Sequence, residues 1–146
     1  MDMRQLASIG AIVLGVMLIL GAIGTATMVR AELADQNITI PEDGCLAGNE
    51  VKGPFTAYCQ AQVIEEHARN ATDGLAFAEM ERDDPRREVA MNASFLRASL
   101  FTSILAFGVS AMAAAIGILF ILIGLGIRDV KEHVIEDVGS RASPPS

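Results

Sequence analysis

Two long stretches without a charged residue constrain this chain more than any other feature. Residues 5–29 and 98–127 contain no Asp, Glu, Lys or Arg. As α-helices, the apolar runs 6–29 and 98–127 would be ~36 Å and ~45 Å long, against ~30 Å for the hydrocarbon layer of a membrane. An amphipathic helix of a soluble protein would carry charges every three or four residues. The pattern therefore predicts two transmembrane helices, the longer of them tilted or projecting beyond the hydrocarbon.

The first stretch could instead serve as a secretory signal peptide, with Gly24-Thr25-Ala26 as the cleavage site. Its start, Met1-Asp2-Met3-Arg4, is only weakly basic. The apolar run is also longer than the usual core of a signal peptide. We therefore favour a membrane span.

The polar segment between the spans holds both cysteines, Cys45 and Cys59. Two cysteines at this separation fit a disulfide, which requires an oxidising compartment, although two unrelated buried thiols are the alternative. Closing the loop would contribute about 3 kcal/mol in the chain-entropy model. Basic residues do not decide the topology, because loops longer than about 60 residues translocate largely regardless of charge. We expect a plasma-membrane protein with two spans, both termini cytoplasmic and the loop extracytoplasmic.

The expected fold class is an all-α membrane protein, a two-helix transmembrane hairpin with a small, mostly helical, disulfide-pinned extracytoplasmic loop domain. The second transmembrane helix is expected to be extended by a stalk. The tail is expected to form a short amphipathic helix that ends at Gly139 and is then disordered. The expected boundaries are an N-terminus at 1–5, spans at 6–29 and 98–127, the loop domain at 30–97 and the tail at 128–146.

Within the loop, helix is expected to persist to about Gln36, followed by a surface coil that Cys45 pins. Pro54 is a good first helical residue, and a helix over 54–69 would place Phe55, Cys59 and Val63 on one face.

Asp84 is a good N-cap and Pro85 a good first-turn residue, so one helix is expected over 85–127. Its stalk, 85–97, would turn Val89, Asn92 and Leu96 towards the loop domain and leave Ala90 on the outer face.

The sequence offers no convincing catalytic or metal site. His67 follows two glutamates, but no tight Cys or His spacing supports a metal centre, and a surface histidine is the simpler interpretation. His133 is interpreted in the same way. The segment 30–97 holds seven basic and thirteen acidic residues, so no basic patch for nucleic acid is expected. We expect no cofactor.

Small residues repeat along both predicted spans, and small-xxx-small faces let helices approach closely in lipid. Pairing of the two spans with each other would use one face of each, and the remaining small residues favour a partner helix. The predicted helix-packing residues are Ala7, Ala11, Gly15, Ala98, Thr102, Ala106, Ser110 and Ala114.

Three motifs resemble a family of small two-span proteins from actinobacteria that often carry the label "aromatic ring-opening dioxygenase". They are residues 37–43 (NITIPED), residues 53–58 (GPFTAY) with nearby Gln60 and His67, and above all residues 91–103 (MNASFLRASLFTS). The similarity extends over residues 6–125 and implies an actinobacterial plasma membrane. Such dioxygenases hold iron through two histidines and a carboxylate at one site. Because His67 and His133 are expected on opposite sides of the membrane, we expect the chain not to be an enzyme.

These observations predict a non-catalytic accessory or structural subunit of a larger, hetero-oligomeric plasma-membrane assembly embedded in the lipid bilayer, with a respiratory complex as the first candidate host. The alternative is a homo-oligomeric envelope or signal-sensing membrane protein.

Overall fold

The computed structural model describes residues 3–142, with side-chain surroundings up to residue 128. The described chain is all-helical, with α1 at Met3–Asp35, α2 at Pro54–Ala71, a short 3-10 helix at Phe77–Glu79, and α3 at Arg87–Ala142. Helices α1 and α3 are both long and apolar enough to cross a membrane. Only 17% and 11% of their most apolar stretches are buried within the chain, so most of their apolar side chains face outward.

Helix α1 ends close to the expected position because Asn37 adopts a left-handed conformation, with φ 51°. Its backbone N–H donates to the carbonyl of Ala34 at 3.0 Å, and its side chain donates to the carbonyl of Asp35 at 3.0 Å. Asparagine tolerates this conformation better than most residues, so it is suited to stop a helix here.

The chain divides into two compact units. The connecting unit is Thr25–Val109, and the helix-pair unit combines Met1–Gly24 with Ser110–Ser146. Both α1 and α3 contribute a segment to each unit.

In the helix-pair unit, α1 and α3 run antiparallel and touch through small residues spaced seven apart. The Ser8 hydroxyl donates to the carbonyl of Gly124 at 2.7 Å. One repeat further along α1, a Cβ on Gly15 would lie 2.5 Å from the carbonyl oxygen of Gly117. The same step leads to Ala22 and Ser110, each 6% exposed. A seven-residue period is typical of helices that cross at a shallow left-handed angle, about 20°.

The connecting unit has a small apolar core to which α1, α2 and α3 all contribute. Helix α2 packs into this core through Ala57, Cys59 and Ala61, and its Val63 is also buried. The expected face was partly wrong, because Phe55 is 79% exposed. The other buried members of the core are Leu33, Ile40, Val51 and Leu100.

The segment before α2 is not the surface coil that we expected. Residues 38–40 and 49–51 pair in a short antiparallel bridge, in which Ile40 and Asn49 join N–H to carbonyl at 3.0 Å. Ile40 and Val51 are each only 1% exposed, so this segment supplies the core instead of covering it.

Helix α3 begins at Arg87, two residues after the predicted start. The expectation that Val89, Asn92 and Leu96 face the rest of the connecting unit is wrong, since Val89 and Leu96 are 43% and 52% exposed. Ala90, which we expected on the outer face, is 7% exposed. Val89 alone does not show which face of α3 is buried, because the buried face carries small side chains and long polar side chains.

At its other end, α3 continues past Gly139, the expected helix end, to Ala142 as part of the same helix. The predicted disorder of 140–146 therefore fails at 140–142, and 143–146 lie outside the described residues.

Candidate interaction surfaces

A disulfide joins Cys45 to Cys59, with 5.3 Å between their Cα atoms, which confirms the prediction. It ties the loop before α2 to the buried face of that helix. Gly44 beside it has no room for a side chain, because a Cβ there would lie 2.5 Å from Cγ2 of Ile40 and 2.8 Å from Cγ2 of Val63. The covalent bond and this close packing together fix the shape of the loop.

Arg86 ties the segment after α2 to the start of α3. Its guanidinium donates to both carboxylate oxygens of Asp84, at distances of 2.7–3.2 Å, and to Asp73 at 2.8 Å. The hydrogen bonds from the Arg86 side chain and backbone lower the pKa of Asp84 to about 2. The same pairing with Asp84 raises the pKa of Arg86 above its ordinary value.

Two further arginines hold α3 against its neighbours. Arg87 donates to the carbonyl of Met80 at 2.6 Å, and its guanidinium carbon lies 4.0 Å from the ring centre of Phe77. Arg97 pairs with Glu65 of α2. This pair lies on the wall of a cleft of about 160 Å³ between α2 and α3. Arg69 lines the same cleft and also pairs with Glu65, so both arginines of the lining are held by one carboxylate.

His67 contacts the carboxylate of Asp43. Its Nε2 lies 2.6 Å from Oδ2 of Asp43, and both side chains are about half exposed. The hydrogen bond from His67 is the main reason that the pKa of Asp43 lies below its ordinary value. No group of three or more His, Cys, Asp and Glu residues that could hold a metal ion occurs among the described residues. The surroundings of His133 lie outside the described residues.

One cluster of aromatic side chains on the connecting unit is exposed. Phe55 and Tyr58, in the first two turns of α2, are 79% and 48% exposed. Phe101 of α3 is 40% exposed, and its ring lies edge-on to Tyr58 with 6.4 Å between the ring centres. We call Phe55, Tyr58 and Phe101 the aromatic rim.

A second exposed surface runs along α1 opposite its contact with α3. At 3.6 residues per turn, Gly10, Met17, Gly21 and Met28 share one strip of the helix, turned away from Ser8 and Gly15. Met17 and Met28 are 65% and 74% exposed. A Cβ on Gly10 or Gly21 would meet no described atom within 4 Å. We call these four residues the outer strip of α1.

The structure distributes the predicted helix-packing residues over several faces. Gly15 and Ser110 are buried in the antiparallel contact. The contact also uses Gly117, together with Ser8 and Gly124, and sequence reasoning missed these last two although their seven-residue spacing from Gly15 and Gly117 was visible. The remaining predicted residues are half-buried (Ala11, Ala106, Ala114) or exposed (Ala7, Ala98, Thr102).

Comparison with family models, with curated proteins and with solved structures finds no match to this chain.

Proposed function

We propose that this chain is a two-span, non-catalytic accessory subunit that docks through α1 against a larger plasma-membrane assembly. In this arrangement α1 and α3 cross the bilayer as an antiparallel hairpin. The polar part of the connecting unit, residues 30–97, lies on the extracytoplasmic side, with residues 87–97 as a helical stalk. The exposed apolar faces of both helices and the disulfide, which persists in oxidising compartments, support this placement.

The observation that carries the proposal is the outer strip of α1. Glycine costs roughly 1 kcal/mol relative to alanine within a helix, and contact with lipid gives no compensation for that cost. Contact with another helix does compensate for this cost, since glycine allows the two backbones to approach closely. Gly15 and Gly117 already serve such a contact within the chain, whereas Gly10 and Gly21 have no described neighbour within 4 Å of a Cβ. The flanking methionines are flexible enough to pack against an irregular partner surface.

The host assembly is proposed from the resemblance to actinobacterial membrane proteins. In such a plasma membrane, respiratory complexes are abundant multi-subunit assemblies, and we therefore propose one of them as the first host to examine.

The test is purification in mild detergent through a tag after Ser146, from the cells that make the protein. We expect stoichiometric partner subunits to co-purify with the wild-type chain. Gly10→Leu with Gly21→Leu should remove most of the partner. Ile9→Leu with Val16→Leu, which enlarge or reshape side chains on a different strip of α1, should retain it.

Migration of the wild-type chain as a lone monomer would contradict the proposal. Cross-linking in native membranes that gave only self-products would favour the homo-oligomeric envelope or sensor protein.

A further inference from the structure

The exposed face of α2 changes in character along the helix. Its first two turns present Phe55 and Tyr58, and the following turns of the same face present Gln62, Glu66 and Arg69, all of them exposed. A helix surrounded by water on this face would have no reason to concentrate its aromatic residues at one end. A helix whose first turns lie at a membrane surface would.

The level of these first turns can be located from α1. Arg4 and Arg30 bracket its uncharged stretch. The helical distance between them is ~39 Å, close to the roughly 40–45 Å of a bilayer with its headgroups. In the proposed hairpin, Arg30 therefore marks the outer headgroup region. Arg30 lines one shallow groove of the connecting unit together with Lys52, Pro54 and Phe55, so the start of α2 lies at the same level.

Helix α3 gives the same result independently. Leu100, Ile104 and Phe107 belong to its uncharged run, yet they pack in or against the core of the connecting unit. Phe101, in the same run, touches Tyr58. Leu105, one turn further along, is 67% exposed. The aromatic rim therefore lies beside an exposed apolar residue of the same uncharged run.

The charges around the rim suit a lipid headgroup layer. Arg30, Lys52 and Arg97 are three of the seven basic residues between the spans. Lys52 pairs with Glu50, and Arg97 pairs with Glu65 while its guanidinium carbon lies 5.8 Å from the ring centre of Phe101. Arg30 has no such described ion pair, so it is the rim's cation for lipid phosphate. The acidic excess of the segment lies largely beyond the rim, for example at residues 79–84.

We infer that the aromatic rim is a lipid-contacting surface, by which Phe55, Tyr58 and Phe101 sink the base of the connecting unit into the outer leaflet. Tyr58, with an apolar ring and a polar hydroxyl, favours this layer, where one end of a side chain can be apolar and the other wet. The rings of Phe55 and Phe101 add apolar area beside it. The rim would hold the connecting unit at a fixed height and leave its other faces for a protein partner. This inference rests on the proposed membrane hairpin.

The chain carries its own reporter, because Tyr58 is its single tyrosine and it has no tryptophan. The purified full-length chain is reconstituted in bilayers, and Tyr58 fluorescence is measured with brominated lipids and with aqueous iodide. We expect lipids brominated near the glycerol to quench most of the emission and iodide to quench little. The control is Tyr58→Phe with Gln62→Tyr, which moves the reporter one turn along the same face. There we expect iodide to quench several-fold more strongly and the lipids much less.

A second variant, Tyr58→Phe with Leu119→Tyr, separates this inference from the proposed function. Its tyrosine lies in the proposed span and should be quenched by lipids brominated deep in the acyl chains. If it is quenched while Tyr58 is open to iodide, or is shielded from both quenchers, the rim does not contact lipid and the inference is wrong. If it is not quenched, the hairpin is not inserted, and the proposed function fails as well.

Discussion

Among individual residues, Asp84 accepts four hydrogen bonds from Arg86. Its carboxylate accepts from the backbone N–H of Arg86 at 2.8 Å as well as from that residue's guanidinium. These hydrogen bonds fix the turn that immediately precedes α3. The pKa of Asp84, lowered to about 2, is the electrostatic consequence of that arrangement.

The lowered pKa predicts a specific acid response. An unfolded aspartate has a pKa of about 3.9, so the ionised Asp84 stabilises the folded state above about pH 4. This contribution is lost as the pH falls from about 4 towards about 2. We expect the Asp84→Asn variant to be less stable than the wild-type chain at neutral pH. Between about pH 4 and about pH 2, its stability should fall less than that of the wild type. Asp83→Asn, at the exposed neighbouring position, should keep the wild-type response. Acid unfolding followed by circular dichroism in micelles measures both, and an unchanged acid slope in Asp84→Asn would refute the assignment.

Gly44 is a residue of the connecting unit at which a single added methyl group should lower the stability. Because a Cβ there would collide with the buried side chains of Ile40 and Val63, Gly44→Ala should destabilise the connecting unit by about 1–3 kcal/mol. Gly53→Ala is the matched control, since a Cβ there meets no described atom within 4 Å and its φ of −155° suits any residue. Thermal unfolding with the disulfide intact compares the two. Equal effects would mean that the loop around Cys45 is not packed as described.

At the scale of elements, the helices themselves were predictable from sequence and their contact faces were not. The uncharged runs identify α1 and α3, and Pro54 identifies the start of α2. Small residues spaced four apart drew the prediction towards Ala98 and Thr102, which are exposed. The antiparallel contact follows a seven-residue period instead. In an apolar helix every face has low polarity, so periodicity of hydrophobicity gives no direction, and only the close approach of two backbones shows which small residues are required.

The short bridge between residues 38–40 and 49–51 was missed for a different reason. A bridge of only two backbone hydrogen bonds leaves little periodicity in a sequence rich in turn residues. Burial of Ile40 and Val51 becomes visible only when the disulfide has folded the segment back against α2.

The close contact of α1 and α3 predicts the effect of a larger residue at Gly117. A Cβ there would lie 2.7 Å from the carbonyl oxygen of Gly15 and 2.8 Å from Cγ1 of Ile19. Gly117→Val should force the two helices apart and cost roughly 1–3 kcal/mol. Gly126→Val, where a Cβ meets no described atom within 4 Å, should leave the stability unchanged or raise it slightly, because valine has a higher helix propensity than glycine. Heat unfolding in mild detergent tests this, and equal melting temperatures for the two variants would contradict the heptad contact.

At the scale of the whole molecule, the described structure combines two kinds of surface with different requirements. The helix pair exposes apolar side chains over most of its length, whereas the connecting unit is acidic and covalently closed. A bilayer satisfies the first and an oxidising aqueous compartment satisfies the second. The proposal that α1 docks a partner and that the aromatic rim contacts lipid depends on this division.

The most direct test of that division is the sidedness of two epitope tags in one chain. One tag is inserted after Arg82, in the exposed segment before α3, and the other follows Ser146. We predict that antibodies label the tag after Arg82 on cells whose plasma membrane is intact but whose outer layers are opened, and label the tag after Ser146 only after the plasma membrane is permeabilised. Equal labelling of both tags before permeabilisation, or labelling of the C-terminal tag alone, would contradict the two-span arrangement.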